Sequence, residues 1–529
     1  MSLARTLAVT LTGLEGRLVD VEAHSGPGLP GFTLVGLPDA AVRESRERVR
    51  AALTVCGVTW GERRLTVNLS PADVRKTGTG FDLALALAVL GARGLLPGRA
   101  LAVLNRTVYI GELGLDGSVH PVRGILPAVR TAVEAGAPDV IVAASAAREA
   151  SLVPGARVRA VDHVGELVED YGGALPPRAR AVVERARRRC EQSRAPQPRP
   201  KEGRVLDLAD VVGQAEARHA LEVAAAGGHH LLLVGPPGAG KTMLAERLPS
   251  ILPPLSAEDA VTVTSLHSLA GTFDPETGLV TAPPLRAPHH TATRAAVVGG
   301  GSGTPRPGDV SLAHRGVLFL DEAPEFPGGV LDCLRQPLET GSVTIDRVGG
   351  RAAFPAAFQL VLAANPCPCG RGGGRGLECT CTSLQRRRYF SRLSGPLLDR
   401  IDIQVEVAAV TAQDLASDGA GEPSAAVAAR VARARSRAAR RLADTPWRLT
   451  GQVPGSWLRS PSCGMDPALL APLMAALDRG DLTLRGVDRV LRLAWTLADL
   501  AARPAPTASD LGGALAQRFE VRSENARFM

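Results

Sequence analysis

Leu231-Leu232-Leu233-Val234-Gly235-Pro236-Pro237-Gly238-Ala239-Gly240-Lys241-Thr242 is an apolar, strand-like run that hands over to a complete Walker A loop. The spacing has a physical purpose. Glycines bring bare backbone N–H groups against phosphates, the following helix adds the positive end of its dipole, and a lysine reaches the β and γ phosphates. The chain is therefore read as binding a nucleoside triphosphate, with Gly235, Pro236, Pro237, Gly238, Ala239, Gly240, Lys241 and Thr242 as the cradle and Thr242 as a ligand for Mg²⁺. Further along, Val317 to Leu320 forms a second apolar run ending in Asp321-Glu322, a Walker B pair. Asp321 suits the Mg²⁺ shell and Glu322 suits orienting or deprotonating the attacking water, because phosphoryl transfer needs charge neutralisation and an in-line nucleophile. A third run, Leu360 to Ala363, leads to Asn365, whose amide can fix that water beside the γ phosphate. Short apolar strands separated by helix-like stretches predict an α/β fold with a parallel sheet.

The chain has 529 residues, enough for three or four domains at about 150 residues each, and 45% of them are hydrophobic with a mean hydropathy of +0.06. No stretch approaches the roughly 20 apolar residues of a membrane helix, and no basic segment leads into a long apolar one at the start. The expectation is a cytoplasmic protein with no membrane partner. Four of the eight cysteines fall into Cys367-x-Cys369 and Cys379-x-Cys381, a clustering that suits a reduced compartment better than a disulfide framework. The formal charge of +8 is concentrated between Pro176 and Arg204, where ten basic residues face three acids. That stretch reads either as a solvated linker or as a contact for a phosphate backbone. Aromatic residues make up only 3% of the chain, which argues against a base-stacking surface and leaves the backbone as the part of a nucleic acid to be held.

The basic stretch divides the chain. Before it, strand-like runs (Leu7 to Leu11, Leu18 to Ala23, Leu65 to Leu69, Val108 to Ile110, Val140 to Val142) alternate with helical ones (Ala40 to Thr54, Asp82 to Leu90, Ile125 to Ala135). Beyond about Val407 strand signals vanish, and Ala425 to Leu442, Pro467 to Ala476, Leu484 to Leu500 and Ala508 to Phe519 read as amphipathic helices, a C-terminal lid. Between the Walker B pair and Asn365, Ser342 to Val348 alternates, turns at Gly349-Gly350 and returns through Arg351 to Phe354, which is a hairpin signal. Arg347 and Arg351 near its tip are placed to grip phosphates.

Longer peptides carry a resemblance. Val211-Val212-Gly213-Gln214, Arg286-Ala287-Pro288-His289-His290, His314-Arg315-Gly316 running into the Walker B strand, Asn365-Pro366-Cys367-Pro368-Cys369-Gly370, and Arg392 through Asp402 resemble the magnesium-chelatase-like AAA+ ATPases, nearest to their ComM/YifB branch. The resemblance spans nearly all of the chain outside the basic stretch. It implies a ring, plausibly a hexamer, that hydrolyses ATP with Mg²⁺. Adenine would lie near Val212, Gly213 and Gln214, Asn365 would be sensor 1, Arg400 an arginine finger inserted into the neighbouring subunit, and Arg485 the sensor 2 residue. A trans-acting guanidinium makes hydrolysis report assembly. It also makes Arg286 to Gly303, with Arg294, a second candidate pore loop beside the hairpin. The implied organisation is a Lon-protease-like domain over residues 1–172, a basic Pro/Arg-rich linker over 173–204, an AAA+ core over 205–408 and a helical lid over 409–529.

Pro71 to Leu83 and Gly111 to Gly117 carry the Lon-like resemblance. Gly80 and Leu126 take the positions of that fold's serine and lysine, and neither can act as nucleophile or activating amine. The domain is thus read as a structural or nucleic-acid-binding module. The cysteine quartet can surround Zn²⁺ tetrahedrally or form two redox-labile thiol pairs, and the neighbouring pairs His229-His230 and His289-His290 read as packing. Two functions compete. One is an ATP-driven DNA translocase or helicase acting on branched recombination intermediates of single- and double-stranded DNA. The other is a chelatase-type motor or remodeller acting on a protein partner. DNA-stimulated hydrolysis separates them.

Overall fold

The computed structural model describes residues 2–61, 63–193, 206–301, 305–347, 350–372, 379–411 and 421–526. Residues 194–204 of the basic stretch and 373–378 between the cysteine pairs lie outside the described residues. Two sheets organise the chain. The first has seven strands in the order Gly31–Val35, Arg63–Ser70, Glu15–Pro27, Ser2–Thr12, Val108–Ile110, Asp139–Ala143 and Arg157–Val161. Only Glu15–Pro27 runs against its neighbours. The helix Asp82–Ala92, with the sequence DLALALAVLGA, is buried on every side, as a helix apolar all round must be. It lies in a core built with the strands of this sheet and the helices Ala40–Val55 and Ile125–Glu134. The first half of the basic stretch is itself a helix, Pro177–Ser193, whose Ala179 and Val183 join this core and whose Ala186 is also buried.

The second sheet has five parallel strands in the order Leu285–Arg286, Val317–Leu320, Gln359–Ala364, Leu231–Val234 and Ile403–Glu406. Its three middle strands are buried throughout, which matches their uninterrupted apolar sequences, since a parallel sheet is covered on both faces. Parallel strands end at one edge, so Val234, Leu320 and Ala364 deliver the Walker A loop, Asp321 and Asn365 to a single crevice. The C-terminal helices Ser424–Arg441, Leu484–Leu500 and Ala508–Ala526 share a core with the sheet. A buried polar link fixes them there: His229 Nδ1 lies 2.9 Å from Asp402 Oδ2, and its Nε2 lies 2.8 Å from Thr496 Oγ1 on the lid helix. Burial opposes the Asp402 charge, but the His229 hydrogen bond and neighbouring cations hold its carboxyl at about 2.

The two sheets are joined by direct packing. Leu11 and Leu14 flank the turn between the first two strands and pack on the core cluster containing Val343, Ile345, Ala352 and Phe354 of the hairpin. Gly13 sits in that turn at φ +66, and a Cβ there would fall 2.7 Å from the carbonyl oxygen of Ala353. On the same side, the Glu149 carboxylate accepts from Leu126 N–H at 3.0 Å and from Ser268 Oγ at 2.5 Å on the helix Ala257–Ala270. No described helix is long and apolar enough to cross a membrane.

Candidate nucleotide site and its flanking loops

The Walker loop leaves Val234 under a tight constraint: a side chain at Gly235 would meet the Val407 carbonyl at 2.2 Å, and Gly238 and Gly240 adopt φ +79 and +92. Only glycine meets both demands at low cost. Space beside Gly238 is open to 4 Å, and the helix Lys241–Ile251 begins immediately after Gly240. Lys241 Nζ donates to the carbonyls of Gly235 at 2.6 Å and Pro236 at 2.9 Å and to Asn365 Oδ1 at 3.1 Å. Its side chain thus spans the mouth of the loop, where phosphates would replace those acceptors. Burial lowers the Lys241 pKa, and Asp321 and Glu322 work against that shift.

Thr242 Oγ1 donates to Asp321 Oδ2 at 2.7 Å. A hydroxyl and a carboxylate in contact at a helix start form the hard-oxygen donor pair that fits Mg²⁺. Asp321 Oδ1 also accepts the Glu322 N–H at 2.9 Å, which turns the chain sharply. Glu322 is left at φ +50, a left-handed conformation that costs a non-glycine residue roughly 1–2 kcal/mol. His290 Nδ1 lies 3.4 Å from its Oε2. Loop packing alone, the role its sequence suggests, does not account for this histidine, whose contact joins segments that spacing along the chain does not bring together. Asn365 sits at the end of its strand, where the Tyr389 hydroxyl accepts its backbone N–H at 3.3 Å.

Val212, Gly213 and Gln214 lie just before the helix Ala215–Gly227, with Gly213 at φ +67 and Gln214 at +54. The Gln214 amide donates to the Ala239 carbonyl at 3.3 Å and to the Ala408 carbonyl. The segment expected near adenine is therefore stitched to the phosphate loop. Arg247 strengthens the same corner, donating to Asp210 Oδ2 at 2.9 Å and to the Asp207 carbonyl at 2.7 Å.

Arg400 and Arg485 stand apart from this crevice. Arg400 precedes the strand Ile403–Glu406, whose Ile403 pairs with Leu231 and Glu406 with Val234, so it lies at the opposite edge, a strand length of about 10 Å or more away. It pairs with Glu339, and its Nε is buried without a hydrogen-bond partner among the described residues. Arg485 Nη1 donates to Asp399 Oδ2 at 2.8 Å, and Arg489 holds the other oxygen of that carboxylate at 3.0 Å. Arg485 is thus brought to the turn that carries Arg400, and Arg400 lines a cleft of about 960 Å³ with Arg315, Asp399, Asp402, Arg435 and Arg492.

The expected hairpin forms from Ser342–Arg347 and Gly350–Pro355, with Arg347 opposite Gly350 and Asp346 opposite Arg351. Arg351 is exposed, its Nε 3.7 Å from Asp346. Arg294 is exposed in the first turn of the short helix Arg294–Val298. Gly299, just beyond that helix, abuts Ile345 of the hairpin, so the two loops expected to meet DNA lie side by side. The four cysteines converge as well: Cys367 Sγ lies 3.2 Å from Cys369 Sγ and 3.6 Å from Cys379 Sγ, and all four sulfurs fall within 4.8 Å of one another.

Comparison with known proteins agrees along the whole length. The family described as magnesium chelatase, subunit ChlI, matches residues 207–415, that described as subunit ChlI of Mg-chelatase matches 21–146, and the ChlI C-terminal family matches 421–518. An uncharacterized protein of Mycobacterium tuberculosis is 49% identical over 518 residues, covering 98% of this chain and 99% of the relative. Competence protein ComM of Haemophilus influenzae is 38% identical over 529 residues, covering 99% and 98%. A shorter match, 33% over 159 residues and 28% of each chain, is to Lon protease 2 of Bacillus subtilis.

Proposed function

The chain belongs to the ComM/YifB family of magnesium-chelatase-like AAA+ ATPases, and from that premise we propose that it is a ring-forming ATP hydrolase that drives branch migration of DNA. The observation that carries the reading is the split of the expected machinery between two edges of one sheet. Lys241, Thr242, Asp321, Glu322 and Asn365 share one edge, and Arg400 and Arg485 share the other. Such a layout completes a catalytic site only where the far edge of one subunit meets the near edge of the next, which is what a ring provides.

Within that site Lys241 binds the β and γ phosphates, and Thr242 and Asp321 would hold Mg²⁺, which supplies neutralisation of phosphate charge when bound. Glu322 takes the proton of the attacking water or orients it in line, and Asn365 fixes the same water from the neighbouring strand end. The neighbouring subunit's guanidinium stabilises the charge on the transferring group. Movement reaches DNA through the two adjoining loops, where Arg347, Arg351 and Arg294 hold phosphates and not bases, in keeping with the scarcity of aromatic residues. The name of the Haemophilus relative, a competence protein, supports a substrate formed when incoming DNA pairs with a chromosome.

A second reading, a chelatase-type motor acting on a protein partner, is favoured by the descriptions of the matching families. Strand exchange on synthetic three- and four-way junctions separates the two. Branch migration with ATP but not with a nonhydrolysable analogue, together with DNA-stimulated hydrolysis, is the expected result. Hydrolysis indifferent to every DNA form would leave the protein-remodelling reading.

A further inference from the structure

Cys367, Cys369, Cys379 and Cys381 lie outside the reacting groups, yet their sulfurs are grouped with a spacing that has chemical meaning. Cys369 Sγ and Cys379 Sγ are 3.7 Å apart, and the other two measured separations are 3.2 and 3.6 Å. Four sulfurs at about 2.3 Å from a tetrahedral ion are about 3.8 Å from one another. A disulfide would bring a pair to about 2.05 Å, and an iron–sulfur cluster, whose four thiolates are divided among two or four iron atoms, would hold those on different irons farther apart than the 4.8 Å within which all four sulfurs lie. The grouping fits a single ion.

Its place in the fold gives that ion work to do. Cys367 is fully buried two residues beyond Asn365. Gly370, at φ +76, is pressed on the ring of Pro237 in the Walker loop, with a Cβ position 2.7 Å from Pro237 Cγ. Cys381 leads into the helix Ser383–Phe390, whose Arg386 donates to the Cys381 carbonyl at 3.3 Å and whose Tyr389 takes the Asn365 N–H. One ion on the four sulfurs would therefore tie together the end of the Asn365 strand, the phosphate loop and this helix.

We propose that the quartet is a closed Zn²⁺ tetrathiolate site that holds Asn365 and Pro237 in register, so that ATP turnover depends on its occupancy. The four thiols give up their protons to solvent as four Zn–S bonds form. No position is left open for water, so the ion is structural and takes no part in hydrolysis. The dependence of turnover rests on the ATPase reading above, whereas the metal site does not.

The test uses the full-length protein purified without chelator. Elemental analysis is expected to give about one zinc per chain, and Co²⁺ exchanged into the site is expected to show thiolate charge-transfer absorption and tetrahedral ligand-field bands. Cys379→Ser should lose most of the metal, Cys381→His should keep it, and ATP turnover of Cys379→Ser should fall at least about tenfold while a fluorescent nucleotide still binds. Zinc-free protein in which the thiols of the quartet titrate freely or form two disulfides overturns the site, as does iron in its place. Stoichiometric zinc with unchanged turnover in Cys379→Ser overturns the link to Asn365. A wild-type protein with bound zinc but no hydrolysis would instead count against the ATPase reading.

Discussion

Glu322 combines a strained backbone with the carboxylate proposed above to orient the attacking water, and strain of this kind persists only where surrounding structure enforces it. Here the enforcing contact is the Asp321 carboxylate on the Glu322 N–H. Glu322→Gln keeps both the turn and the Thr242–Asp321 pair, so nucleotide binding should remain while hydrolysis slows by at least about 10²-fold. Near-normal turnover would remove Glu322 from the chemistry. His314, at the far edge of the same sheet, has a pH-dependent role. Its Nδ1 accepts the Ala357 N–H at 3.0 Å, and burial, helped by Arg315, holds its pKa down at about 4. The unfolded chain takes up this proton below about pH 6.5, whereas the folded protein does not until about 4. The contribution to stability is therefore intact above pH 6.5 and declines as pH falls to 4, by on the order of 3 kcal/mol. Melting curves from pH 7 to 4 should show a smaller acid loss for His314→Gln than for the wild type, and identical profiles would refute the assignment.

At the scale of elements, the legible parts are those whose sequence pattern has one solution. The three central strands of the nucleotide sheet are unbroken apolar runs, and the helix Leu484–Leu500 is readable to the residue because its apolar stripe is uninterrupted. Two edge strands carry too little signal. Leu285–Arg286 is only two residues long, and Ile403–Glu406 buries alternate residues within an otherwise polar stretch. The helix Pro177–Ser193 is obscured by its arginines, although Ala179, Val183 and Ala186 are spaced four and three apart, a helical stripe. The cradle and the Asp321–Glu322 pair are readable from local spacing, but the contact of His290 with Glu322 and the pairing of Arg485 with Asp399 arise from distant segments. Both strands of the hairpin are readable, with residues 348–349 of its expected turn outside the described residues and Gly350 already in the returning strand, and its function is open to test. Replacing Arg347 and Arg351 by Ala should weaken DNA-stimulated hydrolysis and junction unwinding while sparing basal turnover. The salt dependence of DNA binding should become shallower by about one unit for each phosphate no longer held. Normal unwinding with an unchanged salt slope would pass the role to the basic stretch around Arg185.

For the whole molecule, the separation of Lys241 from Arg400 would, on the proposed ring mechanism, set the unit of activity above the single chain. Arg400→Ala should bind nucleotide and hydrolyse it poorly, as Lys241→Ala should fail for want of its phosphate ligand. Mixed, the two variants should recover part of the turnover, because some interfaces pair an intact loop with an intact finger. Rings that form in every mixture yet never recover activity would exclude action between subunits. The hairpin, too, belongs to a larger body. With Gly13 pressed on Ala353 and Leu11 and Leu14 packed on its core, a hairpin that moves as proposed above would act as a lever whose fulcrum is the first turn of the chain. A swing of its tip could then not be absorbed at the root by a compliant loop. The load would pass through that turn into the seven-stranded sheet, so that the stiffness of the amino-terminal domain, more than that of the hairpin, would determine how far each stroke could travel.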